Sequence, residues 1–340
     1  MATLGLATLV IIAVLLGPVL IKPVERNVEF FFLLIGLLTA AVMGQFNPAL
    51  VRGALIEPLS FTAAVLVFGA AFRFSKAYLD DLFAIVVELL EPRILCFFLA
   101  IILGALAPII TPVVSALVFV EAIALLRRDR AAEISATVFA CFAIGIGSGL
   151  TPLGLPGIAV VLRSLHADFW YLTSLLGPFV AVGIVLAAAP ILFLPFDPGE
   201  PLTEIHVEDS WTTVLLTRPG RVYVFIAGLV ALSDGLRPVV NAYIHRVPEN
   251  FLFWINTLSA VVNNSTLAVI EISPSMSVSQ QRAALLGLLI SGGMLITGNI
   301  PNVVAASRLR IGSREWARIG FGFGLILLIL CFAVLLVIPR

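Results

Sequence analysis

Charge is what this chain has least of. Asp, Glu, Lys and Arg make up 12% of the 340 residues and cancel to a formal net charge of +0, a balance that by itself says nothing about partners. Cysteine and histidine are as scarce, with three of each. Cys96, Cys141 and Cys331 fall inside apolar segments without metal-ligand spacing, so they read as small buried hydrophobes. His166, His206 and His245 fall in predicted loops and form no catalytic pattern. There is no HExxH, no nucleophile beside a plausible base and no phosphate loop, so the chain is not expected to be an enzyme. Residues 1–21 lack a basic n-region and no small-residue cleavage site follows, so no cleavable signal peptide is expected.

Apolar residues are what it has instead. Hydrophobic side chains account for 61% of the sequence and the mean hydropathy is +1.13, more apolar surface than a soluble fold of this length can cover. Apolar runs near twenty residues match a hydrocarbon core of roughly 30 Å, whereas barrel strands would be about ten residues long and alternating. The expected fold is an all-α polytopic membrane protein with about eight full spans.

Taken in order, residues 4–21 and 28–46 form two spans joined by the tight KPVERN turn. A short third span covers 61–72, with an earlier start through PALVRGALIEPLS left open. The following AYLDDLFAIVVELLEPR mixes acids with apolar residues as an interfacial helix does. Residues 94–108 and 113–126 are two limbs of only about 21 to 23 Å at the helical rise. They suit a re-entrant hairpin with its tip around Thr111 and Pro112, against two short crossings or a Pro-kinked pair. Residues 131–163 are long enough to cross but break at GSGLTPLG, because two glycines and Pro152 disrupt a helix interior. A span at 169–194 follows, then the hydrophilic loop 196–220. The chain thus divides into scaffold helices (1–92), a first repeat (93–195), a cytoplasmic loop (196–220) and a second, inverted repeat (221–340).

The richest stretch is residues 251–310. Its apolar runs are interrupted by Asn263, Asn264, Ser265 and Thr266, and again by Gly292, Gly293, Thr297, Gly298, Asn299, Pro301 and Asn302. Polar, helix-breaking residues at bilayer depth persist only where the freed backbone is buried in protein or lines a cavity. The first half carries a weaker copy. Thr111 aligns with Asn263 and, after a two-residue slip, Glu121 with Glu271. Gly149 and Gly154 match Gly293 and Gly298, each pair followed by a proline. Inverted repeats with discontinuous helices are how many secondary transporters build a midplane site. Counting Lys and Arg with both hairpins re-entrant places the N-terminus outside and the halves antiparallel. Arg73, Lys76, Arg93, Arg127, Arg128 and Arg130 then face the cytoplasm, and Arg52, Arg163, Arg246, Arg282 and Arg340 face outward.

SGGMLITGNIPNVVA resembles the GGNLTPIGNxANxVA pattern of the ion transporter superfamily, which spans arsenite permeases, sodium/proton antiporters and divalent anion/sodium symporters. GSGLTPLGLPGIAVV carries the same pattern in the first half, and NNST at 263–266 is similar, in scrambled order, to the Ser-Asn-Thr hairpin-tip motif of the sodium-coupled carboxylate branch. Length and the sparse first half look closest to an uncharacterised prokaryotic branch described only as cation transporters. The resemblance implies a homodimer in the prokaryotic inner membrane, with scaffold and mobile transport regions, coupled to sodium or protons. The first tip, ITPVVS, departs from the pattern in lacking an asparagine.

Asn263, Asn264, Ser265 and Thr266 offer the hard oxygen ligands that sodium prefers, or else cap a helix junction. Thr297, Asn299 and Asn302 are expected to face them, with sodium held at Asn263, Thr297 and Asn299. Gly149, Thr151, Gly154 and Gly298 serve backbone geometry and free carbonyls, and Thr111 and Ser115 are the first tip's counterparts. Asp234 follows Arg221 by about 20 Å of helix, well inside the bilayer. It reads as a proton or sodium carboxylate, or as a break at Asp234-Gly235 tied to Arg237. Glu121 and Glu271 are the other proton-coupling candidates, or interfacial ion pairs. The leading expectation is cation (sodium/proton) transport by alternating access; the alternative is a sodium-coupled carrier of a small anion. The expected partners are the small ion, the bilayer and a second copy of the chain, with no nucleic acid and no cofactor beyond bound sodium.

Overall fold

The computed structural model describes residues 2–21, 23–24, 27–126, 129–196, 210, 212–261 and 264–337. Among them there are helices and no strand, the arrangement that satisfies every peptide group inside its own segment when no water is at hand. The chain is an all-α, multi-pass membrane protein. Its helices are α1 (Ala2–Leu20), α2 (Val28–Val42), α3 (Pro48–Leu89), α4 (Pro92–Ile110), α5 (Pro112–Leu125), α6 (Arg130–Gly147) and α7 (Pro156–Leu165). They continue as α8 (Tyr171–Ala188), α9 (Arg218–Tyr243), α10 (Glu249–Ile255), α11 (Asn264–Glu271), α12 (Val278–Ser291), α13 (Ile300–Leu309) and α14 (Ser313–Val337).

Six helices among the described residues have the length and hydropathy to cross a bilayer, fewer than the eight spans expected. α2, at 15 residues, is short for a full crossing. α3 differs more. Where the sequence suggests a short span and a separate interfacial helix, a single helix of 42 residues runs through both. The reason is local, since no glycine or proline falls between Gly69 and Pro92 to end it. α4 is also longer than its expected limb: Pro92 starts it at a position where a missing N–H costs nothing, and it carries Pro108 in its last turn.

The anticipated interruptions are present. Thr111 has φ +73, a left-handed conformation rare for a branched residue, and Pro112 behind it excludes the α region. α4 and α5 therefore meet at a sharp break. α6 gives way at Gly147 to a 3₁₀ turn, Ser148–Leu150, and helix resumes only at Pro156. α12 stops at Ser291, a turn spans Ile296–Gly298, and α13 resumes at Ile300. α10 passes into a 3₁₀ stretch, Asn256–Ala260, before α11.

Packing pairs these pieces in a regular way. α5 lies on α13 and α11 on α7; α4 packs on α6 and α10 on α12; α3 touches α5 and α9 touches α11. A large apolar core runs through α4, α6, α8, α12 and α14. A second core joins α1, α2 and α9. Outward faces stay apolar, with Leu34 and Leu38 on α2 and Ile326 and Ile329 on α14 exposed, as a surface against lipid requires.

α2 crosses α9 at close range. A Cβ built on Gly228 would overlap the backbone of Phe32 and Leu33, and one on Gly36 would overlap the Gly228 carbonyl. Small residues let helix backbones approach this closely where there is no hydrophobic drive between them. Gly228→Leu is expected to destabilise the fold by about 1–3 kcal/mol or more, read as a lower melting temperature and lost monodispersity in detergent. Gly322→Leu, whose side chain meets open space, serves as the control and should melt like the native protein.

Candidate functional site

Polar side chains gather where the half-helices meet. At the break between α4 and α5, Thr111 and Ser115 are fully buried and neither hydroxyl has a hydrogen-bond partner. Asn264, Ser265 and Thr266 open α11 and are all buried. Neither amide atom of Asn264 has a partner, nor does the Thr266 hydroxyl. At the second break Asn299 and Asn302 are fully buried. Asn299 Oδ1 accepts from the Ile300 N–H at 2.9 Å and leaves Nδ2 unpartnered. Asn302 Nδ2 donates to the Gly292 and Leu295 carbonyls, each at 2.8 Å, and leaves Oδ1 over.

Contacts weave these elements together. Thr297 Oγ1 donates to the Ala260 carbonyl at 3.2 Å, fastening the second break to the stretch leading into α11. Gly292 lies directly against the Asn264 amide, so that any side chain there would collide with it. Gly145, at the end of α6, is pressed in the same way by Asn299 Nδ2, and Gly157, at the start of α7, by the Ser265 backbone. The start of α11 therefore touches both interrupted helices. In the first half the Thr151 hydroxyl donates to the Pro108 carbonyl, joining the first break to α4. Gly149 faces Leu289 of α12, and Gly154 lies over the Ser148 carbonyl. Asn263 lies outside the described residues.

A buried polar atom without a partner costs about 1–3 kcal/mol, and native proteins keep few of them. Several of those found here stand at the ends of the interrupted helices, while others, such as those of Thr62 and Thr137, lie within helices. Their atoms are hydroxyl and amide groups, and no three His, Cys, Asp or Glu residues come together among the described residues. Neutral oxygens of this kind suit a hard monovalent cation such as sodium rather than a transition metal.

The acids have partners of their own. α9 runs unbroken through Asp234 and Gly235, so the helix break considered there does not occur. Asp234 instead takes two guanidiniums, Arg237 at 2.6 Å and Arg163 at 3.2 Å, and Arg163 also lies 3.6 Å from Glu57. This four-residue network ties α7 to α3 and α9. Arg163 is a residue that sequence reasoning passes over: it ends an apolar half-helix and reads as a loop charge, and its acidic partners are remote in the chain. Glu271 meets the Asn256 amide at 3.1 Å rather than a cation. Glu121 is half-buried on α5. Also missed were Ser259 and Ser291, two buried hydroxyls 2.6 Å apart, with Ser291 donating to the Asn256 carbonyl at 2.7 Å. The only signal for them is a serine inside an apolar run.

Two asparagines a few residues from the same junction should respond with opposite signs. Asn264→Leu removes an amide with no protein partner and is expected to leave stability unchanged or raise it by about 1 kcal/mol. Asn302→Leu strips two carbonyls of their donor and should lower it by about 1–3 kcal/mol. Melting temperatures of both variants in sodium-free buffer check this.

No curated protein matches the chain in sequence. Residues 4–338 match the family described as "Protein of unknown function (DUF1646)", and since that match covers nearly the whole length, the chain belongs to this family.

Proposed function

We propose that this protein is a secondary active transporter that moves a small ion across a prokaryotic inner membrane by alternating access, with sodium held at the junction of the half-helices. The observation that carries this reading is the set of buried, unpartnered oxygens on Thr111, Ser115, Asn264, Thr266 and Asn302, at backbone breaks that a plain membrane span would not contain. Freed carbonyls and side-chain oxygens there replace the water a sodium ion sheds. The matching neighbours of α5–α13 and α11–α7 support two inverted repeats, each with a re-entrant hairpin and an interrupted helix. In this reading α2, α3 and α9 form the scaffold, and the hairpins and interrupted helices form the moving part. A homodimer built on the scaffold belongs to the same proposal, as does kinship with the ion transporter superfamily.

For the proton limb, Glu271 is better placed than Asp234. Asp234 is held by two guanidiniums, and a proton arriving there would displace both, whereas Glu271 has an amide for company. A second reading has its own support: α5, α7, α11 and α13 all begin at the tips and breaks. Helix N-termini attract anions, so sodium-coupled transport of a small anion is the alternative.

Proteoliposomes with an imposed sodium gradient separate the two. Exchange predicts proton movement across the vesicle membrane opposite to sodium, slowed at least about tenfold in Asn264→Ala and Asn299→Ala and uncoupled from pH in Glu271→Gln. Symport predicts uptake of a labelled small carboxylate without proton flux. If sodium drives neither, or if both asparagine variants behave as the native protein, the transporter reading fails.

A further inference from the structure

Away from the junction, α8, α12 and α14 enclose a cavity of about 550 Å³. Its walls are aliphatic, with Val182, Leu186, Leu330 and Val334 partly exposed on the outer side. Two lining residues, Arg282 and Ser174, break the pattern. Arg282 stands one turn into α12, its Nε buried and unpartnered, its guanidinium 5.8 Å above the Phe179 ring. Among the described residues it makes no ion pair. Beside it Ser174 also lines the cavity, and Tyr171 bonds Gln281 at 2.7 Å. The polar end is thus formed by the first turns of α8 and α12, where these helices begin.

The depth has a natural measure. Along α8 the cavity runs from Ser174 to Leu186, about 18 Å at the helical rise, a little over half of the roughly 30 Å hydrocarbon core. Its inner end reaches Ile146, next to the break that ends α6. A cation at one end and a leaflet-deep apolar slot below it are complementary to one molecule of the bilayer. We propose that this cavity is a binding site for an anionic phospholipid, with its phosphate on Arg282 and one acyl chain between α8, α12 and α14. An arginine inside an apolar wall otherwise carries an uncompensated charge, and basic pockets between membrane helices are a recurrent headgroup site. A second copy of the chain would instead present side chains, and the exposed apolar rim offers no acidic counterpart for Arg282.

The test compares lipids that differ only in headgroup. Purified native protein is exchanged into mixed micelles of dioleoyl phosphatidylglycerol or dioleoyl phosphatidylcholine, and retained lipid is counted by native mass spectrometry. Retention of the anionic lipid should be about fivefold higher, the factor expected of one cationic contact. Arg282→Gln should erase that preference and Arg282→Lys should keep it. Val182→Trp, at a rim position 59% exposed and therefore tolerant, should block the slot and lower retention of both lipids. Equal retention of the two lipids by the native protein overturns the proposal, as does a preference that survives Arg282→Gln. So does a Val182→Trp variant that keeps its lipid but changes oligomeric state, which would assign the slot to a second copy.

Discussion

Peptide groups freed inside a membrane have nowhere to turn but to protein, and this constraint arranges everything else in the molecule. Two helices stop and restart in buried parts of the fold, and a threonine held at φ +73 separates α4 from α5. Each interruption releases donors and acceptors that lipid cannot satisfy. They are met by side chains from neighbouring segments: Thr297 reaches Ala260, Asn302 bridges Gly292 and Leu295, and Thr151 reaches Pro108. The interruptions must therefore lie side by side. Glycines at Gly145, Gly157 and Gly292 allow it, because any larger residue there would meet the facing amide or backbone.

Around this junction the charges play a different part. Asp234, Arg163, Arg237 and Glu57 form one network joining α7 to α3 and α9. Removing one member leaves its partners charged in a poor solvent, which is costly. The network thus fixes where the first interrupted helix ends relative to the α2–α9 crossing. Polar groups near the junction are neutral and those at its edge are charged.

Fold class was legible because composition leaves a single option: a chain with 61% hydrophobic residues and runs of spanning length has to be helical in lipid. The breaks were legible too, since proline and glycine act locally, on the residues beside them. Lengths were read less well. α3 ran on where acids among apolar residues suggested a surface helix, because no glycine or proline falls in residues 70–89 and acidity alone does not end a helix. Asp234-Gly235 was the opposite case. Its glycine packs against the backbone of Ala40 and the helix continues, a role set by a neighbour and not by the dipeptide.

The amino-acid sequence by itself determined a helical membrane protein, the positions of its interruptions, and which polar residues stand at them, because each follows from nearest-neighbour backbone preferences and from the solvent. Only the tertiary structure decided that the start of α11 touches both interrupted helices, that Asp234 is shared by two arginines, and that Arg282 stands over an aliphatic slot. Those facts depend on which helix lies beside which. Helix packing between apolar surfaces in lipid is chosen by shape and by a few polar contacts, and a linear order of residues does not display either.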